Sequence, residues 1–349
     1  MIPQLHELKE LNDTPKVSIV LPLYNSAGEV ADVLTELDRQ SYRDREIILV
    51  DDGSTDGTHK VADDLSAGRK DVTVVETNHG GASHARNVGV EKARGEIVFF
   101  AESDCVYDES YLQKAVERLD SEPEAGAVCL TGAPLITRST LATKSIDIEN
   151  KVQHRLLDQG KIKPFYAWVY RREVLTKLGG FDEKLFQGED KDLFDRLEGA
   201  HYTVAWVPGV NWRHRRDQTT AELARKWFSR GRTRILYSMK HGRILDILKT
   251  MAPFWVAVFG VILLVRSPLG GGLVILLVAL LFVANTLRIM RIAWPVVERK
   301  RNFLGYPVFV MTRNFSMAMG YSVALVMILV RKIQGKEITW NNIDRKSVV

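Results

Sequence analysis

Three nearly uncharged stretches crowd the last third of this chain, at 251–265, 267–287 and 306–330, and only Arg313 interrupts the third. They are 15, 21 and 25 residues long. A helix rises about 1.5 Å per residue and needs roughly 20 residues to cross about 30 Å of hydrocarbon, so the second and third are long enough and the first is short. Burying all three in a soluble core would demand more covering chain than the rest provides. The expectation is therefore a membrane region over 246–332, of two or three helices, with a basic tail at 333–349. Arg288, Arg291, Arg299, Lys300 and Arg301 lie between the second and third stretches, and Arg331, Lys332, Lys336, Arg345 and Lys346 follow the third. One crossing separates these two basic groups, so the bias of Lys and Arg toward the cytoplasmic side does not choose between two and three spans. Arg313 has either to snorkel or to face a partner or a lipid phosphate.

The first 245 residues read differently. Apolar runs at Val17–Leu23, 46–50, 72–75 and 97–100 each precede a helical pattern, the patterns ending near 40, 66, 93 and 119. Strands apolar on both faces that alternate with helices mean a mostly parallel sheet covered by helices on both faces, an α/β domain. Such sheets bind ligands beyond the carboxyl ends of their strands.

Lys and Arg total 48 against 43 Asp and Glu, a formal charge of +5. The surplus gathers just ahead of the hydrophobic stretches, as for a protein held against an anionic membrane, and no nucleic-acid partner is expected. Cys105 and Cys129 are the two cysteines, without CxxC or zinc spacing, which leaves neither a disulfide framework nor a structural zinc site and fits a reducing compartment. The N-terminus lacks the basic start and apolar core of a signal peptide. A multi-pass protein of the cell membrane with a cytoplasmic first domain is the expected placement.

Polar groups terminate three of the strands: PLYN at 22–25, VDDGSTDG at 50–57 and FFAESDC at 99–105. No GxGxxG follows the first strand, and neither GxxxxGK[ST] nor GxSxG occurs, so dinucleotide, P-loop and serine-hydrolase chemistry lose support. Glu102 and Asp104, two residues apart at a strand end, offer an oxygen surface for a divalent cation such as Mg²⁺ or Mn²⁺, or form a solvated acidic turn. GEDKDL at 188–193 opens a helical stretch, where Glu189 and Asp190 serve as helix caps or as a general base. WRHRRD at 212–217 places His214 beside Arg213 and Arg215, a set suited to phosphate or a plain basic patch.

Residues 219–245 read as a basic amphipathic helix carrying Trp227, lying either in the membrane interface or against a core.

PLYN, then QSYRDREIILVDDGSTDGT, then GGASHARNVGVEKARGEIVFFAESD, then GGFDEKLFQGEDKDL, in that order, resemble the family 2 glycosyltransferases of the GT-A fold over about two thirds of the chain. The resemblance implies a GT-A domain over 16–218, behind an extension at 1–15. It implies that Tyr24 packs on the base of a nucleotide sugar, UDP- or GDP-linked, with Pro22 and Asn25 beside it. Asp52 would accept hydrogen bonds from base or ribose. Arg86 and Asn87 match the nucleotide side of the family pattern, with helix packing equally open.

The family's metal motif is Asp-x-Asp, and Glu102 stands in its first position. The extra methylene moves the oxygens, so coordination falls to Asp104 and His214, with Glu102 and Ser103 on the donor. Asp190 takes the part of general base, with Glu189 beside it. An acceptor that is itself a polyprenyl phosphate would need no base, and Asp190 would then orient groups. Arg213, Arg215 and Trp227 are expected on the acceptor or phosphate side. ARKW at 224–227 only half matches the Gln-x-x-Arg-Trp of processive synthases, so addition of a single sugar is expected.

The function so implied is a membrane-anchored inverting glycosyltransferase that passes one sugar to a lipid-linked or other membrane-associated saccharide. Its alternatives are a polyprenyl-phosphate sugar synthase and, in another class, a catalytically silent membrane scaffold.

Overall fold

The computed structural model describes residues 14–336 and 338, apart from 165, 186, 216–218, 296, 298 and 299. It forms two compact units. The first comprises the chain up to Ala133 with Lys163–Glu183 and Glu189–Arg215, and the second comprises Pro134–Ile162, Lys184–Gly188 and the chain from Arg216 on.

In the first unit β1 (Val17–Leu23), β2 (Arg45–Asp51), β3 (Val72–Glu76) and β4 (Ile97–Phe100) run parallel in the order β3-β2-β1-β4. Both faces of β1 and β2 are buried, so their near-continuous Ile, Leu and Val runs are what a sheet covered by helices requires. Even the charges of β2 are inside, and they are paired: Glu46 accepts from Ser18 at 2.6 Å and from Arg94 at 2.8 Å. α1 (Val30–Asp38) buries Val30, Val33, Leu34 and Leu37, one helical stripe. α2 (Thr58–Ser66) and α3 (Ala82–Lys92) follow β2 and β3. α3 crosses β1 closely enough that a Cβ on Gly89 would lie 2.2 Å from Val20 Cγ1.

The sheet then changes sense. β5 (Cys105–Tyr107) pairs antiparallel with β8 (Thr203–Arg215), while β7 (Val169–Arg171) pairs antiparallel with both β4 and β6 (Ala125–Leu135). α4 (Tyr111–Ser121) follows β5, and α6 (Arg172–Leu178) and α7 (Glu189–Gly199) complete the unit. Register matters most for function. Leu23 pairs with Asp51 and Asp51 with Glu76, so Tyr24, Asp52 and Thr77 emerge together at one edge of the sheet.

The second unit is helical. Among the described residues it holds three helices long and apolar enough to cross a membrane: α9 (Ile244–Arg266), α10 (Pro268–Ala293) and α11 (Tyr306–Ile333). The short first stretch gains its length from Ile244–Thr250, a turn and more bearing Asp246 and Lys249 that joins the same helix. Val265, Leu269 and Leu280 are among many exposed apolar side chains on these helices, a surface suited to hydrocarbon.

Two more helices join them. α5 (Leu141–Asp158) packs Ile148 and Val152 into one cluster with Phe282, Phe303 and Phe309. α8 (Thr220–Lys240) begins with a capping box, in which Thr219 accepts from the Glu222 N–H at 3.2 Å and Glu222 accepts from the Thr219 N–H at 2.7 Å. Leu223 and Ile235 are buried, whereas Trp227 and Phe228 are half-buried.

Arg313 has a partner. It bonds to Glu149 of α5, which also accepts from the Tyr306 hydroxyl at 3.1 Å, and its guanidinium lies over the Phe309 and Trp227 rings. The charge is thereby paired within the protein, as a charge on an apolar helix requires.

α8 and α11 meet backbone to backbone. A Cβ on Gly320 would lie 2.1 Å from the Phe228 carbonyl oxygen, and one on Gly231 would lie 2.2 Å from that of Met317. Gly320→Leu should therefore force the two helices apart and cost about 1–3 kcal/mol or more, read as a lower unfolding temperature in detergent. Gly272→Ala, with nothing within 4 Å of its new carbon, is the control expected to change little.

Candidate active site

Of the two adjacent carboxylates that end β2, Asp51 builds the turn and Asp52 reaches across it. Asp51 Oδ1 accepts from both the backbone and the hydroxyl of Ser54. Asp52 is buried. Its Oδ1 accepts from the Gly80 N–H and its Oδ2 from the Gly81 N–H, each at 2.8 Å, immediately ahead of α3. A carboxylate there satisfies orphan donors and complements the positive end of the helix.

His79 completes the arrangement, with Nδ1 2.9 Å from Asp52 Oδ2 and its ring stacked on Tyr24 at 4.2 Å between centroids. Gly53 is required beside it, since its φ is +69° and a Cβ would lie 2.9 Å from the His79 nitrogen. Asn25 ties two loops together: its Oδ1 accepts from the Thr55 N–H at 2.8 Å while its own N–H donates to Ser54 Oγ at 2.9 Å. Pro22 sits within β1 opposite Val50.

Beyond β4 the chain turns through 101–104 into β5, whose Cys105 pairs in register with His214 of β8. Glu102, Asp104, Cys105 and His214 consequently offer ligand atoms that all lie within 4.8 Å of one another, with Asp104 Oδ2 3.3 Å from His214 Nε2. Burial, followed by the charges of Glu102 and Asp104, pushes the Cys105 thiol well above its ordinary pKa, and its soft sulfur suits Mg²⁺ or Mn²⁺ less than oxygen or imidazole does. The two carboxylates and the imidazole that remain suit a divalent cation of the Mg²⁺ to Mn²⁺ class. Ser103 lies partly buried between them in sequence.

Arg86 joins this set to α7. Only 5 % exposed, it lies between the Trp168 and Phe181 rings, with Nη2 3.7 Å from Glu102 Oε1 and Nη1 3.4 Å from Glu189 Oε1. Its neighbour Asn87 packs the helix: its side chain exchanges hydrogen bonds with the Phe181 N–H and carbonyl at 2.8 and 2.9 Å. Asp190 Oδ1 accepts from the Lys191 N–H at 2.7 Å.

Burial, and then the charge of Asp190, push Glu189 up to about 7, while Arg86 pulls the other way. A carboxyl group raised in the folded state stabilises the fold while protonated. Its contribution is full below the ordinary carboxyl range and is lost as pH rises through about 7. Glu189→Gln should flatten the fall of unfolding temperature across that window, measured by scanning fluorimetry at a series of pH values.

One expected residue turns away from this set. Strand alternation turns Arg213 to the opposite face from His214, where it meets Asp108 at 3.2 Å. The side chain of Arg215 lies outside the described residues. Trp227 belongs to the second unit, beneath the guanidinium groups of Arg230 and Arg313.

Residues 18–179 match the model of Glycosyl transferase family 2. The chain carries a family 2 glycosyltransferase domain. Glycosyltransferase AglE of Haloferax volcanii is 26 % identical over 227 residues, covering 63 % of this chain and 73 % of that protein. O-antigen chain rhamnosyltransferase RfbN of Salmonella typhimurium is 27 % identical over 232 residues, covering 62 % and 71 %. Probable glycosyltransferase YdaM of Bacillus subtilis is 29 % identical over 269 residues, 73 % of this chain and 61 % of that one. Among solved structures, mannosyltransferase PcManGT from Pyrobaculum calidifontis, in complex with GDP-Man and Mn²⁺, superposes with a TM-score of 0.59 at 18 % identity, covering 90 % of this chain and 88 % of that one. That likeness establishes the GT-A fold.

Sequence reasoning about the glycosyltransferase domain passed over His79. The signal was a lone histidine ahead of two glycines that open a helix, a position where backbone donors and side chains face a ligand edge.

Proposed function

We propose that this glycosyltransferase moves one sugar from a nucleotide-diphosphate donor to a lipid-linked or other membrane-associated saccharide, with inversion at the anomeric carbon. One observation carries the reading: Arg86 contacts both the strand-end carboxylate Glu102 and the helix-start carboxylate Glu189, so a cation-binding set and an acidic pair share a single buried hub. Glu102, Asp104 and His214 would hold Mg²⁺ or Mn²⁺. Such an ion neutralises the charge that develops on a departing diphosphate.

Asp190 accepts the proton of the acceptor hydroxyl as its oxygen bonds to the anomeric carbon, and the electron pair of the breaking C–O bond leaves with the diphosphate. Burial raises Glu189 to about 7, and its neighbour Asp190 is the carboxylate assigned the base role. The three long apolar helices support anchorage in the membrane in which a lipid-linked acceptor is dissolved.

The test is to screen UDP- and GDP-sugars with the full chain in detergent, with and without Mn²⁺. Donor cleavage that depends on the metal and transfer to a lipid extract support the reading. Failure of every donor, with no response to chelation, overturns it.

A further inference from the structure

Asp52 is the residue that the family resemblance offers to the nucleobase, yet its carboxylate is buried and both oxygens already accept backbone N–H groups. The exposed group at this edge is His79. Its Nδ1 lies 2.9 Å from Asp52 Oδ2 and 3.1 Å from the Asp52 carbonyl oxygen, two acceptors, so Nδ1 carries the hydrogen. With the hydrogen on Nδ1, Nε2 of the unprotonated ring is an acceptor, and among the described residues nothing bonds to it. The side chain is 48 % exposed. Its ring lies 21° from parallel with that of Tyr24, which is itself 47 % exposed. A base lying in the imidazole plane would run parallel to the Tyr24 ring, beside the part of its face that His79 covers.

We infer that His79 reads the donor's base by accepting its imino N–H at Nε2. Uracil offers that hydrogen at N3 and guanine at N1. Cytosine N3 and adenine N1 bring a lone pair to the same place and leave two acceptors facing each other. A fixed acceptor disfavours such bases because two lone pairs then face each other with no hydrogen between them. This inference rests on the sugar-nucleotide reading and narrows it to donors whose base carries an imino N–H: uridine, thymidine and guanosine diphosphates.

The test measures binding of UDP, GDP, CDP and ADP to the full chain in detergent with Mn²⁺, by calorimetry. UDP or GDP should bind at least about tenfold more tightly than CDP and ADP, and His79→Ala should bring the preferred and rejected bases to within about twofold. His79 is exposed, so unfolding temperature should not move. A second measurement needs no variant: the preferred diphosphate methylated at its imino nitrogen should bind the unaltered protein about tenfold more weakly than its parent, and His79→Ala no differently. Tyr24→Leu should weaken all four while leaving their ratios in place. Equal binding of parent and methylated base by the unaltered protein, or discrimination that survives His79→Ala, overturns the role of His79 alone. If no nucleoside diphosphate binds, the sugar-nucleotide reading falls and takes this inference with it.

Discussion

Asp104→Ala should lower kcat at least a hundredfold and leave a residual rate that no longer responds to added Mn²⁺, on the order of the loss when a group holding charge in the transition state is removed. The expectation follows from position. Asp104 is the half-exposed carboxylate of the set, 3.3 Å from the His214 imidazole, while Glu102 is shared with Arg86. Its exposure also means that folding owes it little, since pairs open to solvent contribute at most about 1 kcal/mol. Activity and stability should therefore part company, with nucleoside diphosphate release collapsing and the unfolding temperature unchanged. Cys105→Ser is the informative companion. Mg²⁺ and Mn²⁺ prefer oxygen and imidazole donors to sulfur, so this change should retain most of the metal response although the sulfur lies within the same cluster.

The parallel half of the sheet was legible because each strand is apolar on both faces and stops at a turn. β1 and β4 fall where the runs at Val17–Leu23 and 97–100 place them, β2 is a residue longer at each end, and β3 is a residue longer at its end. The antiparallel half was not legible, and its composition says why. β6 includes two glycines and Pro134, and β8 has Pro208 and Gly209 in its middle, so neither keeps the alternation that announces a strand. α5 has helical spacing, but its partners on α10 and α11 lie more than a hundred residues away, and spacing does not report such contacts.

The site divides along the same line. Glu102, Asp104 and Glu189 stand at a strand end and a helix start, places that pattern alone identifies. The local work of Asp51 and Asn25 is ordinary turn chemistry, readable from GST after the carboxylates. The bridging role of Arg86 could not be read, because its two carboxylates lie 16 and 103 positions further along the chain and only the sheet brings them together.

That bridge sets the second large effect. Arg86→Met keeps the apolar stem between Trp168 and Phe181 but leaves Glu102 and Glu189 without their shared cation. Breaking a buried charge pair on one side costs about 3–5 kcal/mol, because the partner stays buried and uncompensated. Glu189 can escape by taking up a proton, as its raised pKa already favours, so the loss should grow as pH rises through about 7. Catalysis should fall at least a hundredfold at any pH. Arg86→Lys should rescue little, since a single ammonium cannot spread over two aromatic faces and reach two carboxylates with separate nitrogens. Adding Glu189→Gln to Arg86→Met removes the uncompensated charge and should return much of the unfolding temperature without returning activity. If the double variant recovered both, Arg86 would be a packing residue, and the link between cation set and acidic helix start would have no part in the chemistry.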